Sequence, residues 1–109
     1  MPRYNLKPSG LEARRAERLS VNIKASLRKQ GTTKFEVEMH DLSMTGFRFE
    51  TAFNLPDGSS IWLTIPGLGG LEAKVAWRRD FLYGASFVNP LYPAVFDHIA
   101  KQFAKRSLI

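Results

Sequence analysis

The chain has 109 residues, 44% of them apolar, and no cysteine. That is the size of a single domain with one core, and it excludes a disulfide framework and a thiolate metal site. The net charge of +6 is confined: residues 1–30 carry eight cations and two anions, whereas residues 31–109 carry eight of each. Such an excess fits an anionic partner met by the first segment, and it equally fits a solvated basic tail. The opening Met1-Pro2-Arg3-Tyr4-Asn5 lacks the apolar core of a signal peptide. The uncharged run Ser59–Leu71 is broken by Pro66 and three glycines, and it falls short of the ~20 residues a membrane span needs. A cytoplasmic location without membrane insertion is expected.

Residues 1–13 hold Pro2, Pro8 and Gly10 with no apolar period, and they read as a flexible N-terminal arm ahead of a domain over 14–109. A turn of helix over Leu11–Glu17 would be too short to stand alone. From Ser20 to Arg28, Val21, Ile23, Ala25 and Leu27 alternate with polar residues, the pattern of a half-buried strand. Lys29-Gln30-Gly31-Thr32 is a hairpin turn, with Gly31 available for the left-handed conformation. The next strand sets Phe35, Val37 and Met39 against Glu36, Glu38 and His40. Lys24 and Arg28 are expected to pair with Glu36 and Glu38 across the hairpin, a structural use for part of the basic excess.

At Asp41 the period fails. Asp41 takes the apolar parity and Leu42 the polar one, which implies a bulge or sharp bend that re-aims side chains. Within Asp41-Leu42-Ser43-Met44-Thr45-Gly46, the carboxylate accepts only and the hydroxyl donates or accepts. Gly46 allows positive φ or a close approach. A polar turn explains this stretch, and so does half of a ligand site. Gly46–Glu50 resumes as a strand with Phe47 and Phe49 against Arg48 and Glu50.

Asn54-Leu55-Pro56-Asp57-Gly58 is a turn. Ile61, Leu63 and Ile65 point inward, with Trp62 and Thr64 outward. After a second turn, Pro66–Gly70, the spacing predicts Leu71, Ala73, Val75 and Trp77 inward, opposite Glu72, Lys74 and Arg78. Arg79-Asp80 turns the chain into a last strand with Tyr83, Ala85 and Phe87. Gly84 within it marks a bend or a close backbone approach. Asn89-Pro90 reads as an N-cap followed by Pro at the first helical position. Tyr92, Val95, Phe96, Ile99 and Phe103 recur at helical spacing through a predicted helix over about 91–106. Six short strands and one helix imply a small antiparallel barrel or sandwich, with the helix over an open end or an edge.

No catalytic residue and no metal site emerges. The histidines are His40 and His98, no HExxH, CxxC, Walker or GxSxG pattern occurs, and Glu36 and Glu38 face out of a strand. The protein is therefore not expected to be an enzyme. Binding is better supported. Arg14 and Arg18 are spaced so that both can reach one ligand. Arginine's planar fork suits phosphate oxygens and the O6/N7 edge of guanine, and it stacks on flat bases. Asp41 complements this, because a carboxylate accepts from both N1–H and N2–H₂ of guanine. Together these residues specify an anionic guanine ligand better than either does alone.

The chain resembles the PilZ domain family, the cyclic di-GMP receptor modules of bacteria. The resemblance rests on Arg14-Arg15-Ala16-Glu17-Arg18 (RxxxR), then Asp41–Gly46 (DxSxxG), then Trp77 and Gly84-Ala85-Ser86-Phe87, and it spans about residues 12–90. It implies an all-β fold: a six-stranded antiparallel β-barrel with a C-terminal α-helix and a flexible N-terminal arm. It implies that Arg14 and Arg18 grip phosphates and guanine edges of cyclic di-GMP, with Arg15 adding a phosphate contact. Asp41 and Ser43 would hydrogen-bond a guanine, and Gly46 would let the backbone pass close to the ligand. Ala13, just before the first motif arginine, leans towards one bound ligand. No cofactor is implied beyond this ligand. A downstream effector protein of unknown identity is expected, with no nucleic acid, and the chain as a monomer or weak dimer. The alternative is a ligand-independent adaptor of the same fold, with Trp62 and Phe53 as exposed anchors. A single-strand nucleic-acid barrel using Phe47, Phe49 and Trp62 is opposed by the charge lying in an arm instead of along a strand face.

Overall fold

The computed structural model describes residues 18–103. The alternating stripes form six strands: β1 (Leu19–Lys29), β2 (Phe35–Leu42), β3 (Gly46–Glu50), β4 (Ser60–Thr64), β5 (Gly70–Arg79) and β6 (Leu82–Phe87). One helix follows, α1 (Pro93–Phe103). Every neighbouring pair is antiparallel, and the strands close in the order β1-β2-β3-β6-β5-β4. Closure removes the free edges that a sandwich would leave to be protected. Gly31 takes φ 80° in the β1–β2 turn, the left-handed conformation expected of it.

Leu27, Met39, Phe49, Ile61, Leu63 and Tyr83 are fully buried inside the barrel. The Phe49 and Tyr83 rings stack there, with centroids 5.3 Å apart. At the end where β2 runs into β3, α1 buries Phe96 and Ile99 and packs against β1. At the other end the 51–59 segment folds inward and buries Leu55. The Tyr83 hydroxyl fastens this segment: it donates to the Phe53 carbonyl at 2.7 Å and accepts from the Leu55 N–H at 3.1 Å. Tyr83→Phe leaves the buried Leu55 N–H without its partner, so we expect a loss of about 1–3 kcal/mol. Urea unfolding measures this, and an unchanged midpoint would show that the hydroxyl does not secure the segment.

Three expectations are corrected. The helix begins at Pro93, not after Asn89. A proline still opens it, but the preceding chain is held out of the helix because Leu91 is buried and its N–H donates to the Met44 carbonyl at 2.8 Å. Tyr92 is consequently exposed instead of joining the helical stripe. Residues predicted as helix beyond 103, like the predicted arm over 1–13, lie outside the described residues. The cross-hairpin charges also pair differently: Lys24 faces Glu38, but Glu36 faces Ser26. Arg28 lies over the ring of Trp62, its neighbour in β4, 5.1 Å from the ring centroid.

The third correction concerns Trp77. Val75 pairs with Ala85 and Trp77 with Gly84, so two steps along β5 match one along β6. This bulge at Ala76 inverts the parity that follows. Trp77 faces outward, 39% exposed, and Arg78 takes the inward parity at the barrel end, over the Tyr83 ring at 5.3 Å.

Candidate functional site

A second bulge positions Asp41. Met39 pairs with Phe49 and Asp41 with Arg48, so His40 is the extra residue in β2. Asp41 therefore emerges on the outer surface beside Arg48, while Leu42 and Phe47 pair and are buried. In an unbroken strand the carboxylate would enter the core, where an unpaired charge is prohibitive.

The following turn is closed by Ser43. Its N–H donates to the Gly46 carbonyl at 2.8 Å, and its Oγ accepts from the N–H groups of Thr45 at 3.2 Å and Gly46 at 3.1 Å. The hydroxyl donates to the Gly46 carbonyl at 3.3 Å, long for an O–H···O bond, and Thr45 Oγ1 lies at the same distance, where either hydroxyl can donate. The polar-turn reading and the ligand-site reading thus fall on the same atoms. Gly46 makes a close approach of its own, to the neighbouring strand: a Cβ there would lie 2.3 Å from the Ala85 carbonyl oxygen. The turn is tied to the chain entering α1, since the Thr45 carbonyl accepts from Phe87 at 2.9 Å and the Met44 carbonyl from Leu91.

Gly84 serves the second close approach. The Trp77 indole lies against it, and a Cβ at that position would fall 2.1 Å from Trp77 Nε1. Arg48, Gly84 and Trp77 form one row across β3, β6 and β5.

These pieces enclose an outward groove of about 230 Å³, lined among others by Arg18, Asp41, Ser43, Arg48, Trp77 and Ser86. Arg18 is exposed immediately before β1. The Arg48 guanidinium bonds the Asp41 carboxylate through Nε and Nη2, and both contacts fall on Oδ2. Arg48 thereby orients the carboxylate. A carboxylate offers about four lone-pair sites, so this pairing is compatible with a further donor. The groove presents guanidinium groups, a fixed carboxylate and an aromatic ring within reach of one small molecule.

Of the predicted site residues, Arg18, Asp41, Ser43 and Gly46 line this groove, and Arg14 and Arg15 lie outside the described residues. Two groove residues were not foreseen as such: Arg48, whose role depends on its register partner, and Trp77, which was assigned to the core. Gly84 was the available signal for Trp77, as a strand glycine that implies a close neighbour. Beside the groove, Glu38, His40 and Glu50 bring one donor atom each within 4.8 Å of one another, and His40 Nε2 lies 2.9 Å from Glu50 Oε1. These groups are largely solvated and read as a surface polar cluster.

The family model for the PilZ domain matches residues 12–104. The chain belongs to the PilZ domain family. PilZ domains are cyclic di-GMP-binding receptor domains and not enzymes, which supports a second-messenger receptor role here. The PilZ match includes Arg14, Arg15 and Arg18 together with Asp41–Gly46. No curated protein matches the chain. Among the described residues, no helix is long and apolar enough to cross a membrane.

Proposed function

We propose that this PilZ domain is a cytoplasmic, non-enzymatic receptor that binds cyclic di-GMP in the groove between Arg18, Asp41 and Trp77 and relays its occupancy to a partner protein. The observation that carries the reading is the convergence of a guanidinium, an oriented carboxylate and an exposed indole on one groove. Phosphate oxygens meet Arg18 together with Arg14 and Arg15. The N1–H and N2–H₂ donors of guanine meet Asp41, and Ser43 supplies a hydroxyl beside them. Trp77 offers the ring face on which a base stacks. The turn's carbonyl bonds to Phe87 and Leu91 supply a route from the ligand to the chain before α1. The domain acts as a monomer or weak dimer, with no other cofactor.

Magnitudes fit. Micromolar affinity requires about −8 kcal/mol. Charge-assisted hydrogen bonds contribute roughly 1.5–3 kcal/mol each, against ~1–2 kcal/mol for each residue that binding orders. Several arginine and aspartate contacts acting together reach that value, and one does not.

Calorimetry with cyclic di-GMP tests the proposal, with cyclic di-AMP as control because adenine lacks the two donors that Asp41 would accept. Absence of heat with cyclic di-GMP at tens of micromolar would sink it. Trp77→Ala is expected to weaken binding by about 1–3 kcal/mol, the range for loss of a stacking platform. In titrations followed by tryptophan emission, a Trp62→Phe protein should keep the nucleotide response and a Trp77→Phe protein should lose it. The opposite pattern would remove Trp77 from the site.

A further inference from the structure

The barrel end remote from the Ser43–Gly46 turn carries two large exposed side chains, Phe53 at 56% and Phe81 at 57%. The Thr51 N–H donates to the Phe81 carbonyl at 3.0 Å, so the segments bearing them lie side by side. The Phe53 ring packs on Phe35, with centroids 4.3 Å apart and planes tilted by 41°. This pair walls a groove of about 270 Å³ with Leu55 at its base and Lys29, Lys34 and Asn54 around it. The charged residues lining it are both cations. Arg78 adds a third positive group at the rim, bonded to the Asn54 side-chain oxygen.

The exposure of Phe53 is held in place. The Tyr83 hydroxyl bonds backbone groups of Phe53 and Leu55 on either side of Asn54, and the Phe53 N–H donates to Thr51 Oγ1 at 3.2 Å. A fixed, solvent-facing aromatic is the kind of side chain that dominates interface energetics, because little ordering remains to be done on binding. Neither the barrel core nor the nucleotide groove needs Phe53 exposed.

We propose that this groove docks an acidic segment of a partner protein that carries an aromatic or branched aliphatic anchor between its carboxylates. The anchor packs on the Phe35–Phe53 pair, and the carboxylates face Lys29 and Lys34. Charge complementarity selects this occupant. A second copy of the chain is disfavoured, because a self-complementary contact would set Lys29 and Lys34 against the same two cations of the other copy. Single-stranded nucleic acid fits poorly. It requires a series of open ring faces along a cationic track, whereas here one exposed ring leans on Phe35 and the groove is confined between two turns. Docking at this end requires no nucleotide.

The test uses the ¹⁵N-labelled 109-residue chain without nucleotide. It is titrated with the capped heptapeptide Asp-Glu-Asp-Phe-Asp-Glu-Leu, with a version bearing Ser for Phe and Leu, with a version bearing Lys for every acid, and with oligo(dT). The acidic apolar peptide should give saturable amide shifts at Phe35, Phe53, Asn54 and Leu55, with a Kd of roughly 1 mM or tighter, and the two altered peptides should not. Phe53→Ser, and Lys29→Glu combined with Lys34→Glu, should each weaken binding at least ~10-fold, a change of about 1.4 kcal/mol. Phe53 and Lys34 are exposed and Lys29 is half-buried at the end of β1, and an unchanged thermal midpoint verifies that both variants fold. The proposal is overturned by absence of saturable shifts in the groove, by equal binding of the lysine peptide, or by preferential binding of oligo(dT). It is also overturned if sedimentation shows self-association that Phe53→Ser abolishes. Because no nucleotide is present, failure here and failure of cyclic di-GMP binding are read separately.

Discussion

Asp41→Asn is expected to weaken cyclic di-GMP binding by about 2–5 kcal/mol, the range for truncating one partner of a buried charged hydrogen bond. That corresponds to roughly 30-fold to several-thousand-fold in Kd. The substitution keeps the shape and leaves an oxygen for Arg48, but it can set an NH₂ against the two guanine donors. The Asp41 side chain is only 14% exposed, so water replaces a lost contact poorly. Arg18→Ala is expected to act in the same direction through the phosphates. A smaller effect is expected from its solvent exposure and from the phosphate contacts proposed for the arginines at 14 and 15. Calorimetry at fixed salt measures both, and the salt matters because exposed ionic contacts are screened. Wild-type affinity in Asp41→Asn would show that the carboxylate is not the guanine acceptor.

Gly46→Ala is expected to destabilise the fold by about 3 kcal/mol, the upper part of the range for forcing an extra methyl into a packed position. The atom that the new Cβ meets at 2.3 Å is the backbone oxygen of Ala85, which has no rotamer to change. Gly46 pairs with Ser86 and Phe47 with Ala85, so relief requires β3 and β6 to separate where both are laddered. Separation would also pull the Gly46 N–H from Ser43 Oγ and disturb the turn. Urea unfolding should show a lowered midpoint with an unchanged slope. Gly69→Ala is the matched control, because nothing lies within 4 Å of a Cβ there, and it should fall within about 0.5 kcal/mol of wild type. Equal stability of the two variants would mean that the barrel relaxes around the contact.

The register shifts at Asp41 and Ala76 explain what was legible and what was not. At Asp41 the parity shift exchanges a charged residue with a leucine, so the alternation visibly breaks. At Ala76 the same kind of shift runs through Val75-Ala76-Trp77, all apolar, and polarity carries no mark of it. The start of α1 was misplaced for a different reason. Asn89-Pro90 satisfies the local rule for a helix start, but the burial of Leu91 and its bond to Met44 hold that stretch out of the helix, which begins at Pro93. Arg48 was read correctly as outward facing, but its partner depends on the register that the extra His40 imposes.

Strand stripes, turn positions, the amphipathic helix and the residue types suited to a guanine nucleotide were all written in the chain, because they follow from steric and solvation preferences acting over a few neighbouring residues. The groove was decided by barrel closure. β3, β6 and β5 are neighbours out of chain order, and only that order sets Arg48, Gly84 and Trp77 in one row beside Asp41. Cross-strand register is a property of the closed sheet as a whole, whereas periodicity belongs to each strand alone. Several groove residues could therefore be named from the sequence, whereas Arg48, Trp77 and the meeting place could not.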